Sequence, residues 1–412
     1  MKTAFFTQNV KQGGLDTFIL NLITYWPTGD QITLFCNRSH PGLPMLSQRL
    51  EGKAKVIPYD FWIAQDISQR LLKTTGVFRL AFRVFFWVFG FLYLLVQTSR
   101  LFKEVNPDRL MVINGGHPGG DACLAATIAW AKTKPVNPAW HNFHNLVLPY
   151  PNNILRSVKE RVIDYFLVRS AAGFVTVSAA CMATLKTRRS LARSKSTFIY
   201  NGIAPMVFTP ETSLADDLGL PDDTLLILML AVYEPRKGHA FIIRAMDEVV
   251  QRVPTAAMVI CGDGSPEEIE QVREIRNSSP VSNRIFLLEH RTDVSSLLSQ
   301  AALLVLPSQE QESFGYTAIE AMACECPVVV TDVGGLPEVV DDGCSGYVVS
   351  RNDPNAFAER IVSLLQDKAL RQRMGIAGAQ RCRLYFNAER MAVNYHSLLE
   401  TGSKDMDTYK SA

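Results

Sequence analysis

Short, unbroken apolar runs recur along this chain, separated by stretches in which apolar residues return every three or four positions. The runs are "QITLFCN", "RLMVING", "GFVTVSA", "STFIYNG", "LLILMLAV", "AAMVICGDG", "RIFLLEH", "ALLVLPS" and "PVVVTDV". Runs rich in β-branched residues and without polar alternation suit strands buried on both faces, and such strands are parallel, with helices above and below. The pattern predicts an α/β protein built from doubly wound sheets. Near the middle, "NGIAPMVFTPETSLADDLGLPDD" interrupts the alternation with Pro205, Pro210, Pro221 and several aspartates. A domain boundary is expected there. The expected organisation is an N-terminal domain over 1–204, a second over 205–384, a C-terminal helix over 385–402 packing back on the first, and a flexible tail over 403–412. Two such sheets facing a central cleft would hold a ligand at the carboxyl ends of their strands.

One stretch breaks the pattern. "FRLAFRVFFWVFGFLYLLVQTSRLFKEV" is apolar without interruption from Val84 to Val96 and is flanked by Arg79, Arg83, Arg100 and Lys103. A membrane-spanning helix needs about twenty such residues, so this one does not span. Two readings stay open. It is a helix packed in the core or at a subunit contact, or residues 77–100 lie in a membrane interface with the arginines on anionic headgroups.

Composition narrows the partners. With 42 Lys and Arg against 40 Asp and Glu, and no basic stripe, nucleic acid is not expected as a ligand. The eight cysteines are scattered, with Cys324 and Cys326 the only close pair; no zinc spacing or disulfide framework is visible, and no metal is expected. This fits a reducing cytosol. The opening "MKTAFFTQNVKQGG" has too short an apolar run for a signal peptide. The expected location is cytoplasmic, on the inner face of a membrane if the interfacial reading holds. "CGDGSPEE" carries a GxG but no full GxGxxG, which is weak evidence for a dinucleotide site.

The candidate chemistry centres on two glutamates. In "QEQESFGYTAIEAMA", which follows a strand and turns helical after Gly315, Glu312 falls in the loop and Glu320 in the first turns of the helix. Eight residues at helical rise span at most about 12 Å, too far for a shared proton or one metal. That also exceeds the roughly 5–9.5 Å between glycosidase carboxylates. The spacing suits contacts with two parts of one long ligand such as a nucleotide-sugar, whose phosphates a helix N-terminus can receive. On spacing alone, two solvated glutamates are the simpler reading. In "AVYEPRKGHAF", Arg236 and Lys237 are either a solvated basic turn or charges for a leaving diphosphate. His117, His141 and His144 each allow a packed or a catalytic reading.

The order of residues goes further than the spacing. "ESFGYTAIEAMACECPVVVTDVGGLPEVVDDGCSGYVV" closely resembles the donor-binding segment of glycosyltransferase family 4, retaining enzymes of the GT-B fold. "QGGLDTFILNL", "VTVSAACMATL", "IYNGIAPMVF", "PRKGHAFIIRAM" and "RIFLLEHRTDVSSLLSQAALLVLPS" resemble further segments of that family, so the likeness covers nearly the whole chain. It implies that Glu312 faces the transferred sugar and Glu320 the ribose hydroxyls. The backbone N–H groups of Gly315, Tyr316 and Thr317 would meet the diphosphate, with Phe314 shaping their loop. Lys237 would charge-stabilise the leaving group, His144 would stand near the anomeric end, and the loop of Gly13 and Gly14 would close on the acceptor side.

The chain also departs from the family pattern. Val232 stands where arginine is expected, Ala231 where glycine is usual and Ala204 where aspartate is usual; Arg236 is the candidate to replace the missing charge. The resemblance implies a retaining hexosyltransferase. It would move a sugar from a nucleotide-sugar to a saccharide or lipid-linked acceptor in cell-surface polysaccharide or glycolipid synthesis. Neither metal nor other cofactor is expected, because front-face attack lets the departing phosphate take the acceptor proton. The alternatives are a nucleotide-sugar epimerase on the same fold and a non-catalytic sugar-nucleotide binder.

Overall fold

The computed structural model describes residues 1–27, 29–61, 77–206 and 213–401, with the backbone alone for 77–86. The side chains of Arg79, Arg83 and Val84, as well as Pro210 and the tail 403–412, lie outside the described residues. The chain forms two compact units, Met1–Gly202 together with the chain from Ala388, and Ile203–Asn387.

Unit 1 contains β1 (Lys2–Gln8), β2 (Gln31–Asn37), β3 (Lys55–Tyr59), β4 (Arg109–Asn114), β5 (Trp140–Phe143), β6 (Gly173–Thr176) and β7 (Ser196–Phe198). They form a sheet in the order β3-β2-β1-β4-β5-β6-β7, and every pairing is parallel. Its helices are α1 (Gly14–Thr24), α2 (Leu43–Arg49), α3 (Val77–Val105), α4 (Asp121–Thr133), α5 (Ile154–Ser170) and α6 (Ala179–Ala183). Unit 2 contains β8 (Leu225–Leu230), β9 (Ala256–Cys261), β10 (Ile285–Leu288), β11 (Leu303–Leu306), β12 (Val328–Thr331) and β13 (Gly346–Val349). Here the order is β10-β9-β8-β11-β12-β13, again all parallel. The helices of unit 2 are α7 (Leu214–Asp217), α8 (His239–Arg252), α9 (Pro266–Asn277), α10 (Val294–Gln300), α11 (Tyr316–Ala323), α12 (Leu336–Val339), α13 (Pro354–Gln366) and α14 (Lys368–Tyr385). The last described helix, α15 (Ala388–Thr401), belongs to unit 1.

The doubly wound α/β architecture is the one the apolar runs predict, and the central strands explain why. Every residue of β4 and β9 is buried, so neither strand has a solvent face on which to alternate. Four strands carry no such run and were not legible: β1, β3, β5 and β13. Thr3 and Thr7 of β1 and His141 and Asn142 of β5 are polar yet fully buried. Three of the four have side-chain partners: Thr3 Oγ1 donates to Asp30 at 2.6 Å, His141 Nδ1 meets Thr127 Oγ1 at 2.7 Å, and Asn142 Nδ2 donates to Tyr395 Oη at 3.0 Å.

Both readings of the long apolar stretch bear on α3. Its inner face, with Leu94, Thr98 and Phe102 buried, packs on α4, where Phe102 meets Trp130 edge-on at 5.4 Å. Its other face exposes Val88, Phe89, Leu92 and Val96. Among the described residues, no helix is long and apolar enough to cross a membrane.

Candidate active site

In each sheet the strand order reverses at one point, β1 beside β4 in unit 1 and β8 beside β11 in unit 2. The loops that leave such neighbours at their carboxyl ends diverge, and the gap is where open α/β sheets take ligands. In unit 2 these loops carry Lys237 and Glu312. Lys237 ends a short turn, Pro235–Lys237, whose next residue, Gly238, has φ 83°. A Cβ on Gly238 would stand 1.9 Å from Pro307 O, so only glycine lets the β8 loop lie against the end of β11. On the opposite side, Gly334 has φ 59°, and its Cβ would stand 1.8 Å from Glu312 O. The Glu312 loop is thus held between two backbones.

That packing brings the two charges together. Lys237 Nζ donates to Glu312 Oε2 at 2.6 Å, and Ser308 Oγ donates to the same oxygen at 3.1 Å. Glu312 is only 8% exposed, so the ammonium and the hydroxyl offset the desolvation of its carboxylate. Ser308, which sequence reasoning missed, is itself fixed through its carbonyl, which accepts from Thr331 Oγ1 at 2.6 Å. Arg236 lies on the same loop: its Nε donates to Glu234 Oε2 at 2.6 Å and its Nη1 to Gln311 O at 3.1 Å. Arg351, a second residue not singled out in the sequence, donates to Gln309 O at 3.1 Å. Two guanidiniums therefore brace the segment before Glu312, in which Gln311 is held at φ 33°.

The helix after this loop presents the rest of the set. Gly315 caps α11, and the first helical bonds come from Ala318 and Ile319 to Gly315 O, so the N–H of Thr317 has no acceptor within the helix. Phe314 is buried edge-on against Phe386 at 5.7 Å, which anchors the loop. Glu320 is half-buried on α11, and burial raises its carboxyl to about 7. Val232 is 38% exposed, so the position at which arginine is expected carries an apolar side chain at the surface.

In unit 1 the expected residues are spread more widely. Gly13 precedes α1 with extended backbone, and a Cβ there would meet nothing within 4 Å, so no tight turn demands this glycine. Its N–H donates to Asp16 Oδ2 at 3.0 Å, and Asp16 also meets His40 Nε2 at 2.8 Å. Among the three histidines, His141 has both ring nitrogens engaged in the core, and His117 contacts Asp164 at 2.7 Å and Arg188 at 3.1 Å. His144 follows β5 at its carboxyl end, with its ring 4.6 Å from that of Phe18 and its Nε2 3.5 Å from Asn201 Nδ2. Burial lowers its pKa to about 3, so it is neutral at pH 7 and able both to donate and to accept a hydrogen bond. Among the described residues, no three metal-ligating side chains stand together.

The comparisons with known proteins add to this geometry. The profile of "Glycosyltransferase Family 4" matches residues 12–206, and that of "Glycosyl transferases group 1" matches residues 211–381. The N-acetyl-alpha-D-glucosaminyl L-malate synthase of Bacillus anthracis is 29% identical over 202 residues, covering 48% of this chain and 52% of that protein. The D-inositol 3-phosphate glycosyltransferase of Corynebacterium diphtheriae is 33% identical over 185 residues, covering 42% and 43%. The chain thus spans about half the length of the curated relatives it matches. Its backbone is similar to the crystal structure of Anabaena Alr3699/HepE in complex with UDP-glucose, with a TM-score of 0.74 at 18% identity over 97% of this chain and 100% of that one.

Proposed function

Since the chain belongs to glycosyltransferase family 4, we propose that it moves a hexose from a nucleotide-sugar to a hydroxyl of a saccharide or lipid-linked acceptor, with retention at the anomeric carbon. The observation that carries this reading is the Lys237–Glu312 pair at the strand reversal of unit 2, eight residues before a half-buried carboxylate on α11. In the reaction the bond from the anomeric carbon to the β-phosphate oxygen breaks, and its electron pair stays on the diphosphate. Lys237 stabilises that developing charge, and the first-turn N–H groups of α11 add the positive end of a helix dipole. The acceptor oxygen bonds to the same face of the carbon, and its proton passes to the leaving phosphate. Glu312 lines the sugar, and neutral His144 offers a hydrogen bond to one of its hydroxyls. No step calls for a metal or other cofactor. The setting is the cytoplasmic side of cell-surface polysaccharide or glycolipid synthesis.

A second reading, a binder of sugar nucleotides without turnover, rests on Val232. Both are tested by incubating the protein with uridine, guanosine and adenosine diphosphate sugars, with and without acceptor sugars. Transfer that requires acceptor supports the first reading; isomerised donor without acceptor, or binding without product, overturns it. Thermal shift identifies the base beforehand, because a ligand at a hundred times its dissociation constant adds about 2.7 kcal/mol.

Two further results are expected. Arg236, in this reading, supplies the charge absent at Val232, so Arg236→Ala weakens nucleoside diphosphate binding about tenfold, as loss of a hydrogen bond to a charged group does; calorimetry with Arg236→Lys as the charge-retaining control checks this. Glu320 accepts from the ribose hydroxyls, so the donor prefers its ionised form. With the carboxyl raised to about 7 in the free protein, donor affinity climbs as pH rises from 6 to 8 and levels off above. Folding runs the other way. A raised acid favours the folded state below the ordinary glutamate pKa and loses that contribution as pH passes 7. Glu320→Gln should therefore flatten the affinity profile and stabilise the empty protein at pH 8; a profile identical to that of the unaltered protein would remove Glu320 from the donor site.

A further inference from the structure

Helix α5 buries two acids beside Ile163 and Leu167 and turns a second apolar face outward. Its buried positions include Glu160 and Asp164, and its exposed positions include Ile154, Leu155, Val158, Val162, Tyr165 and Phe166. At about 100° per residue these six fall within a stripe about 120° wide on the side away from the sheet. The buried acids are accounted for. Arg188, fully buried, donates to Glu160 Oε2 at 2.6 Å and to Asp164 Oδ2 at 3.3 Å, while Tyr150 Oη and His117 also contact Asp164. Nothing comparable covers the outward stripe in the described chain, where Ile154 is 78% exposed and Phe166 51%.

The stripe continues onto α3. Trp87 and Phe91 of α3 pack into the same core cluster as Ile163 and Leu167 of α5, and Lys159 Nζ sits 5.2 Å over the Trp87 ring. The outer face of α3, Val88, Phe89, Leu92 and Val96, is also exposed and ends in exposed Arg100 and Lys103. Lys159 and Arg161 flank the stripe on α5 and Arg169 stands within it, while Arg156, lying farther round, pairs with Glu160 Oε1 at 2.9 Å. Among the described side chains of the two helices, Glu104 is the one exposed acid. A patch of this extent is an interaction surface rather than scattered surface apolarity.

We propose that the outward faces of α3 and α5 form one docking surface for an anionic lipid bilayer. The charge distribution selects this occupant. A second copy of the chain would bring one cationic rim against another, whereas anionic headgroups complement the rim while the apolar stripe enters the acyl boundary. The surface deepens the lipid-linked branch of the proposed function by placing unit 1 on the membrane that would hold such an acceptor.

The test needs neither donor nor acceptor. The full chain is floated with vesicles of phosphatidylcholine, with and without phosphatidylglycerol, at about 0.1 M and about 1 M salt. Binding to the anionic vesicles at low salt, released at high salt, is expected. Val158→Glu and Leu92→Glu, at positions already in water, should each lower it about tenfold or more while leaving circular dichroism unchanged. Ile376→Glu, an equally exposed site in unit 2, should not. Failure of the unaltered chain to float with anionic vesicles, or undiminished binding by both variants, would overturn the proposal. So would a dimer in light scattering that the same variants dissociate, since the face would then belong to a second copy. Transfer to a water-soluble acceptor tests the glycosyltransferase reading separately.

Discussion

Lys237→Met is expected to lower turnover about 10²–10³-fold, the effect of removing one preorganised donor from a developing oxyanion, with a smaller change in donor binding. The same substitution strands a carboxylate. Glu312, 8% exposed, keeps only the Ser308 hydroxyl, which leaves a buried carboxylate without its counter-charge. The variant should therefore also melt below the unaltered protein at pH 8, with the loss of roughly 3–5 kcal/mol that removing one partner of a buried ion pair costs. Lys237→Met combined with Glu312→Gln separates structure from chemistry. The neutral pair should recover most of the melting temperature at pH 8 and none of the turnover. Full activity in Lys237→Met would reduce the pair to a structural tie.

The second large effect lies in the backbone beneath Glu312. Gly334→Ala places a Cβ 1.8 Å from Glu312 O at φ 59°. A left-handed alanine alone costs about 1–2 kcal/mol, and overpacking adds about 1–3. A loss of about 2–5 kcal/mol is expected, together with loss of nucleoside diphosphate binding as the glutamate loop is pushed away. Gly343→Ala is the control: its φ is 75°, but its Cβ would meet nothing within 4 Å, so it should bear only the conformational part. Equal melting temperatures for the two variants would show that the loop gives way freely and is not held between two backbones.

Reading the sequence recovered the fold class because the central strands leave no face to water, and unbroken apolar runs survive translation into strands without ambiguity. It lost β1 and β5 because Thr3, Thr7, His141 and Asn142 make strands that are buried but not apolar, with the polarity of Thr3, His141 and Asn142 answered by partners elsewhere in the chain. The same limit applies to the site. Lys237 and Glu312 were each legible from local motifs, yet their 2.6 Å contact joins loops 75 residues apart. Ser308 closes a quoted segment without being singled out in it, Arg351 stands in none, and both enter only through what they touch. On α5 a periodic pattern identifies an apolar face, but only tertiary structure tells which face is inside. There Arg188 drew the acidic side inward.

Unit 1 is finished last. Its sheet is made from residues that leave the ribosome early, whereas α15 follows all of unit 2 in the chain. Until α15 arrives, Asn142 lacks the Tyr395 hydroxyl at 3.0 Å, and Phe18, whose other neighbour is the His144 ring, lacks the Tyr395 ring at 5.4 Å. A nascent chain therefore holds a complete unit 2 and a half-closed unit 1 until residues 388–401 have been made. A stop codon ahead of Ala388 would release a protein whose second unit is whole and whose His144 rests on an uncovered aromatic.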